Sequence, residues 1–244
     1  MSEPFSLARY TGFTLAWADG WPGLVAGAGT DSGLAERIPL ALAEHRAWLN
    51  AHGVAGPAGD AWHIGESISN AETAAPGGEF CFAADRLPLR GAELSRAMEH
   101  ARFAMEDLTA AAELPDLLLD WLPSGLEVEH ADPWAPDPRT IRGILRHALQ
   151  LEVYYRDGLR DGPAAGIFEA VGTPRSEFEL TVAAVARAAH DTARTYSPIR
   201  PGRHEPDEWT LRKVMRRLIS HHRAHTAEIL QRRTWVLLGV PESP

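Results

Sequence analysis

Residues 209–229, WTLRKVMRRLISHHRAHTAEI, carry three imidazoles, His221, His222 and His225, in a run whose apolar positions are spaced for a helix. Leu211, Val214, Leu218, His225 and Ile229 fall on one stripe at about 100° per residue. An amphipathic helix is therefore expected from about Trp209 to Leu238, opened by Pro206 and Asp207. His225 points inward on this pattern, with His221 and His222 flanking it on opposite sides. His221 and His225 stand four apart and stack on one face, a common way to offer two neutral nitrogen ligands to a transition metal. His222 and His225, three apart, are equally open as a pair. The simpler alternative is a solvated face, or a core histidine held by a backbone carbonyl, and spacing does not choose between them.

Three further helices precede this one. Leu94, Ala97, Met98, Ala101, Met105 and Leu108 stripe the first, and Phe103 falls opposite them, which predicts a second contact with the N-terminal domain or another subunit. Asp137 and Pro138 make a cap and first position for the second, running through Ile141, Ile144, Leu145, Ala148, Glu152 and Tyr155 to Leu159. Thr173 and Pro174 repeat the device for a third, striped by Phe178, Val182, Val185, Ala189 and Tyr196. Four such helices predict a bundle, and the long links near 114–137 and 198–206 require at least one crossover.

His147 lies near the edge of the second stripe and Glu152 near its centre. An inward carboxylate costs several kcal/mol unless something pairs with it. Either His147 and Glu152 face His221 and His225 in one constellation, or His147 is an edge residue and Glu152 pairs with Arg212 or Arg216. His100 and His190 lie beside their stripes and are not expected to be ligands. Trp121, Trp209 and Trp235 are expected to be packing anchors.

The first 88 residues differ in character, being Gly- and Trp-rich with short runs, and read as a separate α+β domain (1–88) ahead of the helices (89–244). Phe13–Trp17 and Leu24–Gly27 flank Asp19-Gly20, which predicts a β-hairpin turning there. A helix after Ser32-Gly33 is expected through Ile38, Leu42, His45 and Leu49 to about Gly53. Ala61–Ile64 and Glu79–Phe82 are the remaining strand candidates, giving strand, strand, helix, strand, strand.

Across its 244 residues the chain has a formal net charge of −9, and its first 88 residues hold only Arg9, Arg37, Arg46 and Arg86 against ten carboxylates. That balance excludes phosphate tracking, so neither nucleic acid nor an anionic membrane is an expected partner. Lys213 is the only lysine. A lone cysteine, Cys81, excludes an intrachain disulfide and any CxxC zinc site, and its flanking phenylalanines suggest a buried apolar role. No secretion-signal profile or membrane-length apolar run is present, so a cytoplasmic protein is expected.

Residues 140–155, TIRGILRHALQLEVYY, resemble the second helix of DinB-like (DinB/YfiT superfamily) proteins, where a histidine precedes an acidic residue by five positions and aromatics follow. Residues 209–229 resemble their last helix with its HxxxH pair, and the likeness covers about residues 90 to 240. It implies an α+β chain ending in an up-down-down-up four-helix bundle. It further implies that His147, His221 and His225 are the protein ligands of a divalent metal, zinc or nickel first, manganese or iron next. His222 departs from the glutamate that these proteins often carry there. The N-terminal part more loosely resembles the HicB-like fold, ββαβ(β), through Phe13 to Val25, Gly27–Gly29 and the helix from Gly33.

Relatives in the superfamily include thiol-dependent transferases and isomerases that use bacillithiol or mycothiol, and metal-dependent hydrolases. The resemblance therefore implies a metal-dependent enzyme with a small-molecule substrate, a low-molecular-weight thiol among the candidates, and Glu152 either as general base or as a partner behind the metal ligands. A homodimer is compatible with it. A non-catalytic metal- or ligand-binding protein fits the same motifs, because ligand spacing encodes affinity and not turnover.

Overall fold

The strand at the centre of the sheet is one that no alternation announces. In EPFSLARY (β1, Glu3–Tyr10) the consecutive residues Phe5, Ser6, Leu7 and Ala8 are all buried, so both faces of the strand are covered. A strand buried on both faces reads as a continuous run rather than as in-out alternation. It therefore escapes a search for period two, and the expected strand order lacked it. β1 pairs antiparallel with β2 (Phe13–Ala18) and parallel with β4 (Trp62–Ser69), and β2 pairs antiparallel with β3 (Val25–Ala28). The order across the sheet is β3-β2-β1-β4. The computed structural model describes residues 2–69, 81–121, 140–145, 147, 148 and 210–238.

Two turns shape the sheet. Thr11 and Gly12 close β1 onto β2, with Gly12 at φ 81°, where a side chain would be strained. Between β2 and β3 the reversal falls at Trp21–Leu24 rather than at Asp19-Gly20 as expected. There the Leu24 N–H donates to the Trp21 carbonyl (3.0 Å) around Pro22 and Gly23, the latter at φ 88°. Proline before a positive-φ glycine is the signature of a type II turn. Asp19 and Gly20 are instead tied back to β1. The Asp19 N–H donates to the Pro4 carbonyl (3.0 Å), Asp19 Oδ1 accepts from Ser6 Oγ (2.6 Å), and the Gly20 N–H donates to Glu3 Oε1 (3.2 Å). Burial pushes the Asp19 carboxyl above the usual carboxylate range, more than the Ser6 hydrogen bond lowers it.

Helix α1 (Asp31–Ala51) starts at Thr30, whose hydroxyl accepts the Gly33 N–H (3.1 Å). Its buried positions, Leu34, Ile38, Ala41, Leu42, His45 and Leu49, make one stripe, and Leu34 to Leu42 pack with Phe5, Leu7, Ala16, Ala18, Leu24 and Ala26 in one core. A second cluster gathers Ala8, Tyr10, Trp17 and Phe82. The Glu79–Phe82 strand expectation is not met at its described residues. Phe82 donates its N–H to Asp85 Oδ2 (3.0 Å) and leads into a 3-10 turn, Ala84–Arg86, so that group is spent on a turn and not on a ladder. Cys81 is buried, as its apolar neighbours suggested.

Helix α2 spans Gly91–Ala111 and a short α3 spans Asp116–Leu119. Residues 141–145, 147 and 148 are helical (α4), and Leu211–Leu238 form α5. Threonines cap the starts of α4 and α5, while Asp137, Pro138, Pro206 and Asp207, expected at those starts, lie outside the described residues. Thr140 Oγ1 accepts the Gly143 N–H (3.0 Å) and Thr210 Oγ1 accepts the Lys213 N–H (3.1 Å). Phe103, opposite the expected stripe of α2, is buried, with the Arg102 guanidinium over its ring. The third expected helix, Glu152, His190 and Trp209 lie outside the described residues.

The fold is thus mixed α+β with a four-stranded sheet. Contacts divide the chain into two compact units, Met1–His100 with Tyr196–Ser220, and Ala101–Thr195 with His221–Pro244. This division does not coincide with the boundary at residue 88 drawn from composition.

In the first unit a buried ion pair joins residues far apart in the chain. Arg216 Nε donates to Asp85 Oδ1 (2.9 Å) and Nη2 to Asp85 Oδ2 (2.6 Å), with side-chain exposures of 8% and 3%. The guanidinium also lies over the rings of Trp17 (4.8 Å) and Phe82 (5.0 Å). Arg212 Nη2 is held by Glu93 (2.7 Å) and the Pro88 carbonyl (3.1 Å). Both arginines considered as partners for Glu152 are therefore bound to other carboxylates.

Candidate metal centre

The second unit has its own core, in which Met105, Leu108 and Ala111 of α2, Leu119 of α3, Ile141, Ile144, Leu145 and Ala148 of α4, and Ile229 of α5 are buried together. This packing explains the centre. On α5, His221, His225 and Ile229 follow each other at i, i+4, i+8 and so form one row. Burying Ile229 against the stripe of α4 turns that row toward the same helix. His147 stands between Leu145 and Ala148 at the edge of that stripe, partly exposed, and meets the row there. Arg142 fixes α4 further through Asp120, at 2.9 and 3.0 Å.

The three imidazoles converge nitrogen to nitrogen. His147 Nε2 lies 3.3 Å from His221 Nε2, His221 Nε2 lies 2.9 Å from His225 Nε2, and one ligand atom from each of the three falls within 4.8 Å of the others. A tetrahedral ion held by imidazole at about 2.0–2.1 Å needs its ligand nitrogens about 3.3 Å apart. One pair meets that spacing and the other is a few tenths of an ångström tighter. Each neutral imidazole carries one nitrogen lone pair, and lone pairs pointed at one spot repel unless a proton or a cation sits between them. The donor set, all nitrogen without cysteine, suits zinc or nickel better than calcium or magnesium. These residues fit a divalent metal.

His225 is held from its other side as well. Its Nδ1 lies 2.9 Å from Glu228 Oε2, three residues on along the same helix, with side-chain exposures of 13% and 20%. Glu228 was not among the residues singled out from the sequence, although its i, i+3 spacing from His225 was there to be read.

His222 takes a different place. It is buried, and its face is not the one shared by His147, His221 and His225. The sequence left the i, i+4 and i, i+3 pairs open, and the structure brings together the i, i+4 pair. The inward position assigned to His225 belongs in fact to His222, which is 1% exposed. Among the described residues, His100 likewise stands apart from the cluster. It is buried beside Trp21, Trp48 and His45, with Nδ1 3.3 Å from the Pro22 carbonyl. Trp235 is partly buried and stacks under Arg232 (4.6 Å), in keeping with a packing role.

Burial, reinforced by His225, drives the His222 pKa down from 6.5 to about 3, so the fold holds this ring neutral. An unfolded chain takes up a proton there below about pH 6.5 that the folded chain refuses until about pH 3. The contribution is intact above the upper value and is lost as pH falls toward the lower one. We expect the metal-free protein to lose about 1.4 kcal/mol per pH unit from this group in that window. Urea unfolding at pH 7.5 and pH 5 checks it, and His222→Leu should flatten the dependence.

No protein-family model, curated protein or solved structure matches the chain. Among the described residues, no helix is long and apolar enough to cross a membrane.

Proposed function

We propose that this chain is a DinB-like protein that binds one divalent metal through His147, His221 and His225, and that it is a metal-dependent enzyme of the thiol-dependent transferase or hydrolase type. The observation that carries the reading is the meeting of three imidazole nitrogens from positions 74 residues apart, at 3.3 and 2.9 Å. Nothing in local sequence forces such a meeting, and it costs lone-pair repulsion unless a proton or a cation sits between the rings. The mixed α+β architecture, with helices α2, α4 and α5 supplying the second core, supports a DinB-like bundle preceded by a HicB-like domain.

Three neutral nitrogens leave the remaining positions of a zinc-type ion for substrate, the arrangement of catalytic rather than closed structural sites. When bound, such an ion supplies the positive charge that makes a thiol or a water acidic enough to act as a nucleophile near neutral pH. The chain's own residues do the rest. His147, His221 and His225 orient the reacting centre, and Glu152, five positions after His147, is the residue we assign as general base.

The test is to load the purified chain with zinc, nickel or manganese, measure bound metal by elemental analysis, and assay thiol transfer and ester or amide hydrolysis. About one ion per chain and turnover that disappears on chelation are expected. A fully metallated chain that turns over nothing would identify a metal-binding protein without catalysis. A chain that takes up no metal would overturn the reading altogether.

A further inference from the structure

We propose that Glu228 is the positioning residue of the metal centre, orienting His225 and selecting which of its nitrogens faces the ion. This rests on the reading above and goes beyond it, because Glu228 lies outside the three-histidine motif. A histidine ligand can present either ring nitrogen, and the hydrogen bond made by the other one decides which. In His225 the two nitrogens have different neighbours. Nδ1 is 2.9 Å from a Glu228 carboxylate oxygen, and Nε2 is 2.9 Å from His221 Nε2.

An ionised carboxylate only accepts hydrogen bonds, so the proton between the two must sit on the imidazole. With Nδ1–H donating to Glu228, the lone pair of His225 is left on Nε2, directed at the nitrogens of His221 and His147. The pairing is built into one helix turn. Residues 225 and 228 are i, i+3 neighbours, and at 13% and 20% exposure the bond is largely withdrawn from water, where a charge-assisted contact is strongest. Glu228 also places negative charge next to a site whose three ligands are all neutral. A carboxylate behind a ligating histidine raises its basicity and fixes its ring, and removing such a partner costs about 10- to 100-fold in metal affinity.

The experiment compares wild type, Glu228→Ala and Glu228→Gln in the full chain. Zn2+ affinity is measured by competition with a chromophoric chelator, and the visible spectrum of each Co2+-loaded sample reports coordination geometry. We expect Glu228→Ala to bind Zn2+ 10- to 100-fold more weakly with an altered Co2+ spectrum. Glu228→Gln, whose amide oxygen still accepts from Nδ1–H, should keep affinity within a few-fold and retain the wild-type spectrum. Equal affinity of Glu228→Ala and wild type overturns the assignment, and so does an equal loss in both variants, which would point to net charge alone. Because alanine is a good helix former at a partly exposed position, the substitution should not unfold α5. A measurement without any substitution guards against that outcome. Nitrogen NMR of the wild-type His225 ring should show the proton on Nδ1, and a proton on Nε2 with Nδ1 bare overturns the proposal. Failure of the function reading is seen separately, as a wild-type chain that binds no Zn2+.

Discussion

Replacing any one of His147, His221 or His225 by alanine should abolish stoichiometric zinc binding, with affinity falling by more than about 100-fold, since even partners behind a ligand cost 10- to 100-fold. The three nitrogens lie within 4.8 Å of one another, so each substitution removes a third of the protein donor set and not a distant charge. The control is as informative as the loss. His222→Ala and His100→Ala should keep about one ion per chain, because His222 is not part of the cluster and His100 packs beside Trp21 and Trp48. Two readouts check the result independently, bound metal by elemental analysis and the thermal shift on adding zinc. A ligand that binds only the folded state stabilises it by about 2.7 kcal/mol at 100 times its Kd, so wild type should show a shift that the three variants lose. Retention of zinc by His147→Ala would break the link between α4 and α5 on which the functional reading stands.

The second large effect concerns the buried pair in the first unit. Asp85→Ala should destabilise the protein by roughly 3–5 kcal/mol, because it leaves the Arg216 guanidinium buried without its carboxylate. It also removes the acceptor of the Phe82 N–H. Arg216→Met should cost a similar amount by stranding the carboxylate, together with the loss of the contacts over Trp17 and Phe82. The double variant, Asp85→Leu with Arg216→Met, should recover most of either loss. Charges taken out of water gain little net stability from their pairing, whereas an unmatched one is heavily penalised. Urea unfolding of wild type, Asp85→Leu, Arg216→Met and the double variant closes the cycle. Single substitutions that cost less than about 1 kcal/mol would mean that this pair is far better hydrated than its 8% and 3% exposures indicate.

Metal binding and folding are also linked through the imidazoles. A metal needs the ligands deprotonated, and the neighbouring His222 is neutral in the fold, so the apo and loaded proteins should both weaken as pH falls below the ordinary histidine range.

Much was legible in the amino-acid order alone. The i, i+4 spacing of His221 and His225 follows from helical geometry, and an apolar stripe through Ile144 and Ala148 put His147 at the edge of a buried face before any coordinates. The helices α1, α2 and α5 announce themselves by apolar residues at 3.6-residue spacing, although only α1 buries a single stripe, Phe103 of α2 and Lys213, Met215, Arg216 and His222 of α5 being buried as well. Local patterns of this kind depend on neighbours within a turn or two, and the chain states them directly.

Tertiary structure decided the rest, for a common physical reason: each missed feature is settled by a partner remote in sequence. β1 is buried on both faces because Phe5 and Leu7 pack against α1 while Ala8 and Tyr10 pack with Phe82, so its residues carry no alternation to detect. Asp19-Gly20 has the composition of a hairpin tip, yet Pro4, Ser6 and Glu3 claim its hydrogen-bonding groups and the chain reverses at Pro22-Gly23 instead. Periodicity left His221 and His222 equivalent, and only the packing of Ile229 against α4 turned one toward His147 and buried the other. Arg216 shows the same dependence most plainly, since its carboxylate lies 131 residues away and helical spacing carries no information about it.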